Sequence, residues 1–81
     1  TEIDPDAYKV FIAGIETLTA TESAIFTAFA NGMSIPEIAR QTGRAESTLR
    51  THIRNIYSKL DVHSAKQLRL YAAVMRRDHK E

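Results

Sequence analysis

The stretch from Ser34 to Leu60 constrains the fold more than any other part of the chain. It opens with Ser34-Ile-Pro-Glu37, a capping box. In that motif a serine oxygen accepts from the third helical N–H while the glutamate reaches back to the serine amide. Proline inside the first turn misses no amide hydrogen. The helix that follows, near 35–42, has room for about two turns and is unstable alone in water. It must therefore be held by packing of Ile35, Ile38 and Ala39 against its neighbours. Thr42-Gly43-Arg44-Ala45 makes a tight link, because glycine accepts the left-handed conformation that closes a helix. A longer helix then runs near 46–60. A short helix, a glycine turn and a longer helix form the helix-turn-helix arrangement, whose second helix enters a DNA major groove.

The flanking segments are punctuated in the same way. Asp4-Pro5 makes an N-cap and first-turn pair, and Tyr8, Phe11, Ile12 and Ile15 recur at helical spacing, which predicts a helix near 5–15. Thr19-Ala-Thr-Glu22 is a second capping box and Asn31-Gly32 a stop, giving a helix near 19–31. Ser64-Ala-Lys-Gln67 opens a last helix near 64–77. Connections this short force neighbouring helices into one compact unit. The expected fold is all-α: a four-helix unit over 18–77, a short N-terminal helix or linker over 1–17, and a tail at 78–81.

Composition excludes several functions. There is no cysteine, so neither a disulfide framework nor the usual Cys/His zinc site can form, in keeping with a cytoplasmic protein. No apolar run approaches the roughly 20 residues that span a bilayer, and no signal peptide is visible. Because the sequence begins at Thr1 and not at methionine, a piece of a longer protein is expected. The net charge of +1 hides an asymmetry. Residues 1–37 carry one basic and six acidic side chains, while residues 38–81 carry ten basic and four acidic ones. The C-terminal half is the one suited to a polyanion.

On a helical wheel, residues 46–60 separate into two faces. Leu49, Ile53, Ile56 and Leu60 fall on one side and are expected in the core. Ser47, Arg50, Thr51, Arg54, Asn55 and Ser58 fall opposite or beside it, on a face read as free of acidic and large apolar residues. Guanidinium forks, hydroxyls and an amide are the groups that read base edges and hold phosphates. Arg50 and Arg54, four residues apart, reach one groove, with Thr51 between them. Ser47, Asn55, Ser58 and the long-stemmed Lys59 are placed for the flanking sugar-phosphate strands. His52 borders the apolar face and is expected to pack, not to catalyse. His63 and His79 are isolated, so neither metal nor cofactor is expected.

From Leu18 to about Met75 the chain resembles the LuxR/GerE-type helix-turn-helix family. Leu18-Thr19 with Glu22 resembles its leading L-T-x-x-E, and Ala30-Asn31-Gly32-Met33-Ser34 with Glu37-Ile38-Ala39 its A-x-G-x-S-x-x-E-I-A. Thr48-Leu49-Arg50-Thr51-His52 is similar to T-V-x-x-H. Ile56 with Lys59-Leu60-Asp61-Val62 is similar to I-x-x-K-L-x-V. The resemblance implies a bacterial transcription regulator's output domain. It also implies that DNA bases are contacted by Arg50, Thr51 and Arg54, and the DNA backbone by Ser34, Ser47, Thr48 and Lys59. It further implies a homodimer on double-stranded DNA, joined through the last helix, where Leu68, Tyr71, Ala72 and Met75 are the candidates. Equally open is that the helix at 5–15 covers this stripe within the monomer. An upstream sensor or receiver domain and RNA polymerase are the further partners implied.

Two positions depart from the family pattern. Ala45 stands where the family often caps the recognition helix with serine, and Ala65 where it often has arginine, with Lys66 beside it. No nucleophile–base pair, phosphate-cradling glycine loop or paired carboxylate points to an enzyme. Two other readings are a helical module that grips an amphipathic partner and a sigma-factor helix-turn-helix. The leading L-T-x-x-E and trailing K-L-x-V favour the LuxR type over the latter.

Overall fold

In a computed structural model the described residues are 3–78, and they form five α-helices without a strand. They are α1 (Pro5–Ile15), α2 (Ala20–Ala30), α3 (Ile35–Thr42), α4 (Glu46–Leu60) and α5 (Ala65–Asp78). Every expected helix is present, and the boundaries move by one residue at most. Residues 79–81 of the expected tail, with His79, lie outside the described residues.

The caps form as the sequence dictates. Thr19 and Ser34 each accept from the N–H three residues on, and Glu22 and Glu37 return the bond to the cap amides. At α5 the box is offset: Ser64 Oγ accepts from Gln67 N–H, but the side-chain Oε1 of Gln67 accepts from the amide of His63. Gly43 closes α3 at φ 70°, in the left-handed region that favours glycine.

Ala45 is the exception. It has the extended backbone of an N-cap but no side chain to accept a bond. Ala45→Ser is therefore expected to stabilise the domain by about 0.5–2 kcal/mol. Urea denaturation measures it, as a higher midpoint at unchanged slope.

α4 lies at the centre, packed against α1, α2 and α3, while α5 closes the far side against α1 and α2. Leu49, Ile56 and Leu60 are fully buried, with Ile53 nearly so. The core continues through Phe11, Ile25, Phe26, Phe29, Ile38, Val62 and Leu68. Residues 5–15, expected as a helix or a linker, are a helix built into this core. Phe11 packs edge-on to Tyr71 at 5.4 Å and at a tilt to Phe26 at 6.1 Å. Gly14 faces the backbone of α4 so closely that an added Cβ would collide with the carbonyl of Lys59.

Three of the four candidates for a dimer contact lie inside the monomer. Leu68, Tyr71 and Ala72 are 0%, 4% and 1% exposed within the monomer. α5 is seated against α1 and α2, and α1 brings Tyr8 and Phe11 onto the Tyr71 ring. Met75 alone of the four is half-buried at the margin of the core.

Candidate nucleic-acid interface

The separation of faces on α4 carries through to the surface. Ser47, Thr48, Arg50, Thr51, Arg54, Asn55 and Ser58 are all exposed, opposite the buried leucine and isoleucine stripe. Arg54 makes no hydrogen bond or ion pair among the described residues. The Thr51 hydroxyl donates to the Ser47 carbonyl at 3.2 Å, which leaves its methyl group and lone pairs for an outside partner.

Glu46 corrects the reading of this face as free of acids. Its carboxylate accepts from Arg50 Nη2 at 3.2 Å, with the two side chains 44% and 60% exposed. An exposed i,i+4 pair of this kind is worth about 0.3–0.5 kcal/mol. It orients the Arg50 guanidinium without holding it against a stronger partner.

Two expected backbone contacts are already engaged inside the protein. Ser34, exposed at the start of α3, has both its amide and its hydroxyl on Glu37 Oε1, at 2.9 and 3.1 Å. The Ser34 amide and hydroxyl hold the Glu37 carboxyl below its ordinary value. Lys59 does not reach outward: its Nζ donates to Glu22 Oε1 at 2.6 Å and to the Thr17 carbonyl at 3.3 Å. These partners lie 37 and 42 residues away in sequence, and no local pattern announces them.

Glu22 is 5% exposed and is the buried charged side chain of the described residues. The Lys59 ammonium and the Thr19 amide hold its carboxyl below the ordinary value of 4.5, against the opposing effect of burial, with a smaller contribution from His52. A carboxyl lowered on folding contributes stability that is fully present above the unfolded value and is lost as pH falls through the folded one. Stability should therefore decline as pH drops below about 4.5. Urea midpoints taken from about pH 6 to pH 3 check this, and Glu22→Gln should flatten the decline.

The remaining sites are quiet. His52 is half-buried beside the apolar face, and His63 is exposed in the α4–α5 link. No group of three or more His, Cys, Asp or Glu among the described residues could hold a metal. No helix among them is long and apolar enough to cross a membrane. Sequence reasoning missed Arg69, whose guanidinium lies 4.7 Å from the Phe29 ring centroid while its Nε donates to the Phe29 carbonyl at 3.0 Å. That contact ties the end of α2 to α5.

Over residues 16–72 the chain matches the family model described as bacterial regulatory proteins, luxR family. It is 36% identical over 67 residues to the probable transcriptional regulatory protein SgaR of Hyphomicrobium methylovorum, covering 82% of this chain and 32% of that protein. It is likewise 36% identical over 69 residues to the uncharacterized transcriptional regulatory protein YhcZ of Bacillus subtilis, covering 85% and 30%. A nitrate/nitrite response regulator protein homolog of Haemophilus influenzae is 40% identical over 50 residues, covering 62% and 24%. The chain thus spans a third or less of the length of these curated relatives. No solved structure matches it. α1 precedes the matched segment yet shares its core. With the family match spanning well over half of the residues, the chain belongs to the LuxR/GerE family, as a non-enzymatic helix-turn-helix DNA-binding domain of bacterial transcriptional regulators.

Proposed function

We propose that this domain reads double-stranded DNA by laying α4 in the major groove. The observation that carries the reading is the outer face of α4, where Arg50, Thr51 and Arg54 stand exposed and Arg54 has no internal partner. Arginine bonds guanine O6 and N7 bidentately, and threonine can meet a thymine methyl. Ser47, Thr48, Asn55 and Ser58 flank these residues and contact the sugar-phosphate strands, with Ser34 at the start of α3. Phosphate contacts fix register while the base contacts supply specificity.

The domain acts as a homodimer on two half-sites. With Leu68, Tyr71 and Ala72 buried, Met75 and the half-buried Leu70 and Val74 of α5 are the apolar groups left for that contact. Residues 18–77 form the DNA-binding unit, preceded by α1 and joined to a sensor or receiver domain of the same cytoplasmic protein. RNA polymerase is its partner at the promoter.

Binding of random-sequence duplex across a salt series tests the reading. Affinity should fall by about tenfold or more between about 50 and 200 mM salt, as expected when several phosphates are neutralised. Selection from a random pool should then enrich a motif of two half-sites about one helical turn apart. Salt-insensitive binding, or none by the folded protein at low salt, would instead favour a protein-interaction module.

A further inference from the structure

Lys59 is held to the junction of α1 and α2 by both its side chain and its backbone. Its ammonium sits on the nearly buried Glu22 carboxylate and on the Thr17 carbonyl. The same Glu22 oxygen accepts the Thr19 amide, so one atom both caps α2 and anchors the end of α4. On the main chain, Gly14 lies against the Lys59 carbonyl with no space for a Cβ. Moving Lys59 onto a phosphate would leave a buried carboxylate without its cation, which is the costly way to break such a pair.

We propose that Lys59 is a positioning residue for the DNA-reading helix and not a phosphate contact: clamped by Glu22 and Thr17, it sets the angle at which α4 leaves the helical framework. This rests on the reading that α4 enters the major groove. Arg50 lies nine residues before Lys59, about 13 Å along the helix at 1.5 Å per residue. A tilt of about 5° at the Lys59 end therefore displaces Arg50 by roughly 1 Å, and contact geometry of this kind tolerates about 0.5 Å.

The test compares the parent chain with Lys59→Met, Glu22→Gln and the double variant, on the duplex selected for the parent and on an unrelated duplex. Binding is measured below the melting temperature of every protein. Expected are an unchanged dependence on salt in all four and a ratio of specific to non-specific affinity lowered about tenfold in each single variant. The double variant should be no worse than either single, as for residues that act through one contact. The double variant also removes the unpaired buried charge, so it keeps the question open to measurement if a single variant does not fold. A salt slope reduced by about one on losing Lys59, with tighter binding in Glu22→Gln as the lysine is freed, would overturn the proposal in favour of a phosphate contact. An unchanged affinity ratio with only a lowered melting temperature would overturn it too. Failure of the parent itself to bind DNA would instead strike the functional reading beneath it.

Discussion

Phe11→Ala is expected to cost about 3–5 kcal/mol, a large part of what holds this domain together. The side chain is fully buried, and its ring meets Phe26 of α2 and Tyr71 of α5. Truncation removes that apolar surface and leaves a cavity among helices already committed to other contacts. A domain of this size is stabilised by only about 0.05–0.15 kcal/mol per residue, so the variant should be close to unfolding at room temperature. Val10→Ala is the control: Val10 neighbours Phe11 in sequence but is 46% exposed, and its loss should change stability by no more than about 0.5 kcal/mol. Urea denaturation followed by circular dichroism measures both. A Phe11→Ala cost below about 1 kcal/mol would show that α1 is an appendage and not part of the core.

The features legible in the sequence are those set by local chemistry. A capping box acts over three residues and a glycine stop over one, so the start of α2 and both ends of α3 can be read directly from Thr19, Ser34 and Gly43. The period of α4 sorts Leu49, Ile53, Ile56 and Leu60 inward without reference to any partner. Glu46 was equally legible, since it lies four residues before Arg50 and such pairs meet on a helix.

Other features depend on contacts between distant segments. α5 has apolar residues on several sides, and only its seating against α1 and α2 decides that Leu68, Tyr71 and Ala72 turn inward. Lys59 looks like any basic residue near a DNA-reading helix until α2 brings Glu22 beside it. The charge asymmetry between the halves gave the sign of the partner, but it could not tell a lysine free for phosphate from one neutralised within the fold.

Arg54→Ala is expected to weaken binding to a selected DNA site by about 1–3 kcal/mol, or roughly 5- to 150-fold. The side chain is exposed on α4 and has no internal partner, so its loss leaves no buried group unsatisfied and should leave the melting temperature nearly unchanged. Arg50→Ala should act in the same direction, with a smaller part of its effect arising from release of Glu46. A base contact also differs from a phosphate contact in kind: removing it relaxes preference at one position, whereas removing a phosphate contact weakens all sequences alike.

The most direct measurement is therefore the affinity of the parent chain and Arg54→Ala for the selected duplex and for its single-base variants, at one fixed salt concentration. The account predicts a loss of about 5- to 150-fold on the selected site, with discrimination lost at one base position in each half-site. Unchanged affinity and unchanged base preference in a folded Arg54→Ala protein would contradict the docking of α4 in the groove.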